Sequence, residues 1–142
     1  MASLLAALEM DIGMAERHDE PLTLVIASVD RLSGQDAEDR LHGDPMARVM
    51  QVVAGVLREG DLSMRLDSFE FAVLLPSADR LSAAMVCQRV DGVVRAGLRE
   101  IAGVEVSLSF GLAEYSAKVT AREMVAAGQA DLANAQAAAS AA

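Results

Sequence analysis

Residues 65–76, RLDSFEFAVLLP, decide the fold because they combine a tight turn with an apolar strand. Leu66 and Phe69 flank the dipeptide Asp67-Ser68, which predicts a β-hairpin with a two-residue turn. Such turns favour Asn-Gly or Gly-Gly, because both central residues often need a positive φ. Asp-Ser fits that requirement poorly. The misfit raises the question of whether this hairpin carries an active site or holds the place of a former one.

Apolar periodicity outside the hairpin predicts four helices and two further strands. The helices are predicted at about 2–18, 45–57, 78–99 and 120–136, and the strands at 21–30 and 104–112. The third helix is predicted to bury one stripe, namely Ala83, Cys87, Val90, Val94 and Leu98. Asp44 and Pro45 suit the start of the second helix, and Gly60 is predicted to stop it.

This order of elements predicts an α+β fold with a mixed, mostly antiparallel sheet flanked by helices. Strands separated by helices are expected to be parallel neighbours, and the hairpin supplies an antiparallel pair. The ferredoxin-like palm of nucleotide cyclases and polymerases has the same order of elements. A shared fold does not by itself give a function.

The amino-acid composition narrows the classes of function that this chain can have. The chain has 142 residues, enough for one domain with one core, and its net charge of −9 argues against a nucleic-acid polymer as partner. Small anions remain possible where arginines cluster. The single cysteine suits a reducing compartment, and no apolar run approaches the ~20 residues of a membrane span. The acidic N-terminus has no basic leader, so we expect a cytoplasmic protein with no direct membrane span.

The stretch REGDLSMRLDSFEFAVLLP, residues 58–76, resembles the central block of GGDEF-domain diguanylate cyclases, bacterial enzymes that join two GTP into cyclic di-GMP. Their hairpin reads Arg-Leu-Gly-Gly-(Asp or Glu)-Glu-Phe and leads into an apolar strand that ends in proline. The matching residues are Arg65, Leu66, Glu70, Phe71 and Pro76. HDEPLTLVIASVD and VEVSLSFGLAEY are similar to two other strands of the family, so the resemblance covers roughly residues 10–137.

The resemblance implies a nucleotide-cyclase palm with the hairpin at the former signature motif. It divides the chain into an N-terminal helix at 1–20, a degenerate GGDEF domain at 21–137 and an Ala-rich tail at 138–142. In the family, an acidic residue at the third signature position and an aspartate near the end of the first strand bind the metal. Phe69 and Ser28 stand at those positions, so two oxygen ligands for magnesium are missing. Asp30 and Glu70 match only the neighbours of the ligands.

The residues at the family's nucleotide-binding positions also depart from the family pattern. An asparagine that donates to guanine aligns approximately with Asp36, which can only accept when ionised. A lysine and an arginine that meet the triphosphate are replaced by Gln136 and Ser140. Side chains at 67–68 replace the two glycines that let the backbone approach the nucleotide closely. We therefore expect no enzyme activity: no catalytic residue, no metal and no cofactor.

One ligand site of the family is retained. Arg58 and Asp61 form an Arg-x-x-Asp motif that ends five residues before the signature, as in the family's product-inhibition site, and Arg89 matches a second arginine of that site. An Arg fork satisfies the O6 and N7 acceptors of guanine, and a carboxylate accepts from its N1–H and amine. These residues predict a receptor for cyclic di-GMP, as a regulatory ligand, that signals to a protein partner or through a homodimer.

Simpler interpretations exist for the same three residues. Arg58 near a helix C-terminus offsets the helix dipole, Asp61 caps a turn, and Arg89 is an ordinary solvated residue. The alternative function is a protein-interaction or dimerisation module that binds no nucleotide, and residual GTP binding is a third possibility. Arg58 and Asp61 facing away from each other, or locked into contacts with their own chain, would overturn the receptor hypothesis.

Overall fold

The computed structural model describes residues 1–34 and 44–141. In these two ranges the elements are α1 (Ala2–His18), β1 (Leu22–Ser33), α2 (Pro45–Val56), β2 (Leu62–Arg65), β3 (Glu70–Pro76), α3 (Arg80–Ala102), β4 (Glu105–Glu114) and α4 (Ala121–Ala141). Their order confirms the predicted α+β fold. The Ala-rich residues that we expected to form a tail continue α4 through Ala141.

The four strands form one sheet in the order β2-β3-β1-β4. The neighbouring strands that the structure describes are all antiparallel, which confirms the mostly antiparallel sheet, whereas the expected parallel neighbours are not found among them. The reason is that β1 lies between β3 and β4, and β3 lies between β1 and β2. Strands joined by a helix therefore run in the same direction without being neighbours.

Helices cover both faces of the sheet, which explains why residues 22–29 of β1 and 71–75 of β3 are buried without interruption. The face under α2 and α3 buries alternate strand residues, namely Val25, Ala27, Phe71, Val73 and Leu75. The face under α1 and α4 buries the residues between them, namely Leu24, Ile26, Ala72 and Leu74. The predicted inward stripe of α3 is buried in the first cluster, as expected. Both faces of the sheet are thus closed.

Helix α2 ends at Val56 and not near Gly60, because Leu57 is already extended. The backbone N–H of Arg58 donates to Asp61 Oδ2 at 2.9 Å, and Asp61 N–H donates back to the carbonyl of Arg58 at 3.0 Å. A carboxylate that captures a backbone N–H in this way competes with the helix for the same donor. Asp61 therefore ends the helix and starts the turn.

Two features fix the position of β4 and α4. At Gly111 of β4 the helix approaches so closely that an added Cβ would lie 2.2 Å from the carbonyl oxygen of Gly128. At the open edge of the strand, Leu112 N–H donates to Asp131 Oδ2 at 2.8 Å, and its carbonyl accepts from Arg80 Nη1 at 2.9 Å. Arg80 and Asp131 also pair with each other at 3.1 Å. Side chains thus take the place of a neighbouring strand at Leu112.

No helix within 1–34 or 44–141 is long and apolar enough to cross a membrane.

Candidate nucleotide-binding site

The hairpin loop has three residues, 67–69, where two were predicted. Leu66 N–H and Asp67 N–H both donate to the carbonyl of Glu70, at 2.9 and 3.2 Å. The side chain of Asp67 accepts from the N–H groups of Phe69 and Glu70, each at 2.8 Å. This carboxylate organises the loop without any positive φ in it, as Asp does in many turns. The Asp67 side chain thus stabilises a tight loop that has no glycine.

Phe69 projects from this loop into a cleft of about 740 Å³. Phe69 is 60% exposed, whereas its backbone is fixed because its carbonyl accepts from Val29 N–H at 2.8 Å. Ser28 and Gln136 line the same cleft. Three residues at which the sequence departs from the family pattern are therefore brought together. The cleft has a volume typical of small-molecule sites, which span about 300–1,000 Å³.

Two carboxylates that line this cleft are already engaged. Asp30 accepts hydrogen bonds from Ser109 Oγ and from Gln136 Nε2, the latter at 2.8 Å. Asp44 pairs with Arg65 at 2.7 Å, and this contact holds the pKa of the Asp44 carboxyl below its usual range. Asp44 begins α2 as predicted, but its side chain is used by Arg65 and not by the first turn of the helix.

Burial, and after it the negative charges of Asp67 and Asp30, raise the pKa of Glu70. The hairpin and the adjacent end of β1 therefore gather carboxylates that repel one another. Asp36, which aligns approximately with an asparagine that donates to guanine in the family, lies outside the described residues.

Ser140 lies in a neighbouring cleft of about 560 Å³, which Gln136 also lines. Arg31 and Arg95 border this cleft, and sequence reasoning missed both of them. Arg31 directly follows Asp30 in the sequence, and this position could have indicated that Arg31 lies beside the cleft. Arg95 lies on α3 and pairs with Asp91 at 3.0 Å, so only the folded chain shows it near the cleft.

The Arg-x-x-Asp residues contact each other. Arg58 Nη2 lies 3.1 Å from Asp61 Oδ1, and Arg58 Nε lies 3.3 Å from Asp61 Oδ2. Arg58 Nη2 also donates to the carbonyl of Pro76 at 3.0 Å. The Arg58 side chain is 59% exposed, whereas that of Asp61 is only 3% exposed. Arg58 thus lies at the surface of the cleft, and Asp61 lies largely buried beneath it.

Arg89 completes a third cleft, of about 260 Å³, that is also lined by Arg58 and Asp61. The three residues predicted to bind a ligand are thus brought together between the end of α2 and the first half of α3. Arg89 is exposed and makes no ion pair or side-chain hydrogen bond with residues 1–34 or 44–141. Apolar side chains, among them Val86 and Met85, form part of the wall beside it.

The family profile described as diguanylate cyclase, GGDEF domain, matches residues 2–141. The chain belongs to the GGDEF family. The match covers all the described elements, so both the hairpin cleft and the Arg58 cleft lie inside the GGDEF domain.

Solved GGDEF proteins share the fold. The diguanylate cyclase SiaD from Pseudomonas aeruginosa, in complex with its activator SiaC, is 24% identical, with a TM-score of 0.78 over 96% of this chain and 54% of SiaD. The chain thus spans about half the length of SiaD. The GGDEF domain of TpbB, or YfiN, from the same organism is 25% identical, with a TM-score of 0.73 over 95% of this chain and 82% of that one.

The GGDEF domain of DgcB from Caulobacter crescentus, in complex with cyclic di-GMP, is 16% identical. Its TM-score is 0.76, and the match covers 94% of this chain and 82% of DgcB. At this identity the likeness shows the fold alone. No curated protein sequence matches the chain significantly.

Proposed function

We propose that this GGDEF domain is a non-catalytic receptor that binds cyclic di-GMP in the Arg58 cleft and signals to a protein partner. The observation that carries the proposal is that Arg58, Asp61 and Arg89 line one cleft, and that the Arg89 guanidinium has no side-chain partner among residues 1–34 and 44–141. Guanine offers two acceptors side by side, which a free guanidinium fork binds in a bidentate manner. The phosphates of the ligand suit the second arginine. Cyclic di-GMP therefore acts as a regulatory ligand and not as a cofactor.

Loss of cyclase activity is the second part of the proposal. Phosphoryl transfer needs metal ions and positive charge to offset the charge on the transferring group. In the hairpin cleft an exposed phenyl ring stands where the family has an acidic metal ligand. Asp30 is engaged by Ser109 and Gln136, and Asp44 is engaged by Arg65. These contacts support a cleft that no longer holds magnesium and GTP for reaction.

Product analysis after incubation with GTP and magnesium tests the loss of activity. We expect unchanged GTP and no cyclic di-GMP. The double variant Ser28→Asp/Phe69→Asp restores both carboxylates and is the matched control for magnesium binding. Formation of cyclic di-GMP by the unmodified chain would show that the cleft remains catalytic.

Calorimetric titration with cyclic di-GMP tests the receptor. We expect saturable binding that weakens by about tenfold or more in Arg89→Ala, because a charge-assisted bidentate contact is lost. Arg122→Ala is the matched control, since Arg122 is an exposed arginine on α4, which packs on the opposite face of the sheet. An equal loss in both variants would point to general charge attraction and not to a site.

The alternative is an interaction or dimerisation module that binds no nucleotide. The mutual pairing of Arg58 and Asp61 favours it, because neither residue then needs a ligand. The exposed apolar side chains of Leu81 and Met85 on α3 also favour it. SiaD is bound to an activator protein, which makes a protein partner reasonable for this chain as well. Light scattering during the titration separates the two functions: ligand-independent dimers with no heat of binding support the alternative. A cytoplasmic location and residual GTP binding stay predictions.

A further inference from the structure

The outward face of α1 combines exposed methionines with carboxylates. Met10 is 74% exposed and Met14 is 50% exposed, and their spacing of four residues places both side chains on one face of the helix. We infer that this face of α1, together with a small pocket beside it, binds a basic amphipathic helix of a partner protein. This partner class rests on the proposed function, in which the domain signals to a protein.

The surface around the two methionines is open enough for a second helix to lie on it. Ala6, one turn before Met10, is exposed and adds only a methyl group. Gly13 is also exposed, and a Cβ added there would meet nothing within 4 Å. Methionine side chains are flexible and polarisable, so exposed methionines adapt well to the apolar face of a partner helix.

Carboxylates border this face on both sides. At about 100° per residue, Glu9 and Glu16 lie on one side of the two methionines and Asp11 lies on the other. From Glu9 to Glu20 the chain has five carboxylates but only one arginine, Arg17, and one histidine. A second copy of this face, or an anionic lipid surface, would bring like charges together. A helix with basic residues on both sides of an apolar stripe has the complementary charge.

A pocket of about 180 Å³ lies next to Met14, where the C-terminal half of α1 meets the start of β1 and the end of β3. Leu22 and Pro76 are among its apolar walls, and Asp11 and Glu20 are its carboxylates. Small-molecule pockets begin near ~300 Å³, whereas ~150 Å³ holds benzene, so this pocket suits a single side chain. Lysine and arginine match it, because each joins an apolar stem to a charged head.

Both carboxylates of the pocket have acceptor oxygens left to offer. Asp11 makes no ion pair or side-chain hydrogen bond with residues 1–34 or 44–141, and His18, which also lines the pocket, forms no ion pair with either acid in those ranges. Glu20 uses Oε2 to accept from Ser77 Oγ at 2.7 Å. Burial raises the pKa of Asp11, since its charge is partly desolvated, and an incoming ammonium or guanidinium would compensate for that.

An NMR titration of the full chain without nucleotide tests this surface. The ligand is a synthetic helical peptide with leucine at every third or fourth position and lysines on both sides of the leucine stripe. We expect saturable shifts of the amides of α1, Leu22 and Ser77. The same peptide with glutamate in place of lysine should not bind. Shifts centred on α3 or on the hairpin, or equal binding of the two peptides, would overturn the inference.

Two variants test the face and the pocket separately. Gly13→Lys places a long cationic side chain in open space on the face, so it should keep the fold and weaken the basic peptide by about tenfold or more. Gly92→Lys is the matched control on α3, because an added Cβ there also meets nothing within 4 Å. Asp11→Asn should weaken the peptide by about fivefold, and thermal melts check that it is folded. An equal effect of both lysine variants would show attraction by net charge alone and refute the site.

Two further measurements distinguish this surface from a self-association face and from the nucleotide receptor. Light scattering that shows dimers of the parent chain, lost in Gly13→Lys, would overturn the inference, because the occupant would then be a second copy. Cyclic di-GMP should bind Gly13→Lys and the parent chain equally. Binding of the nucleotide without the peptide would refute the α1 surface and leave the receptor intact, whereas binding of the peptide without the nucleotide would support the surface and refute the receptor.

Discussion

Substitution of Gly111 by alanine should destabilise the domain more than the addition of a single methyl group suggests. The added Cβ would lie 2.2 Å from the carbonyl oxygen of Gly128 and 2.3 Å from the amide nitrogen of Leu132. Both atoms belong to the backbone of α4, so no rotamer change can move them away. Ordinary contact begins near 3.4 Å, so helix and strand must separate by roughly 1 Å.

The magnitude follows from two opposing effects. Overpacking costs about 1–3 kcal/mol, and a clash with rigid backbone belongs at the upper end of that range. Replacing glycine stiffens the unfolded chain and returns about 0.4–1 kcal/mol, because φ at Gly111 is not in the left-handed region. The net loss of unfolding free energy is about 2–3 kcal/mol. For a domain of this size the Tm should fall by about 6–10 °C.

Urea denaturation followed by circular dichroism measures this loss. Gly92→Ala is the matched control: Gly92 lies within α3, and an added Cβ there would meet nothing within 4 Å. Helix propensity then predicts a gain of up to about 1 kcal/mol. If Gly111→Ala is within about 0.5 kcal/mol of the parent chain, β4 and α4 are not in the close contact described above.

Three further predictions concern buried or crowded groups. Burial raises the pKa of Cys87 to about 12, so a thiol reagent at neutral pH should label it only after unfolding, and rapid labelling of the folded chain would contradict its burial. The pKa of Glu70 is raised in the folded state, so its ionised side chain destabilises the fold at pH values above that folded-state pKa. At pH values below the unfolded-state pKa, Glu70 is protonated in both states and this destabilisation is absent. Glu70→Gln should therefore raise the Tm slightly at pH 7 and leave it unchanged in strong acid, whereas an equal rise at both pH values would refute this origin. Thr23→Val should cost about 1–2 kcal/mol, because it removes a buried 2.8 Å hydrogen bond to the carbonyl of Ala78, and Thr23→Ser, which retains the hydroxyl, should cost less.

The sequence predicted those parts of the fold that depend on local periodicity. The inward stripe on α3 is set by side chains three or four residues apart, and the structure confirms it. The pairing of strands was harder to predict from the sequence. Whether two strands joined by a helix become neighbours depends on a third strand inserting between them, and periodicity along the chain contains no information on that.

The candidate site was likewise predictable only in part. Spacing and resemblance brought Arg58, Asp61 and Arg89 into consideration, and they do line one cleft. The burial of Asp61 was not predictable, because it depends on how the turn after α2 packs. The loop at Asp67 is one residue longer than predicted, because a carboxylate that accepts from two backbone N–H groups stabilises a three-residue loop that contains no glycine.

The capping of Leu112 by Arg80 and Asp131 affects how this protein can assemble. An exposed strand edge invites another strand to extend the sheet, and repeated extension leads to aggregates. An incoming strand would have to displace two charged side chains that already hold each other and the backbone. Association by sheet extension is blocked at this position, so a search for the binding surface of a partner should begin with the outward faces of the helices.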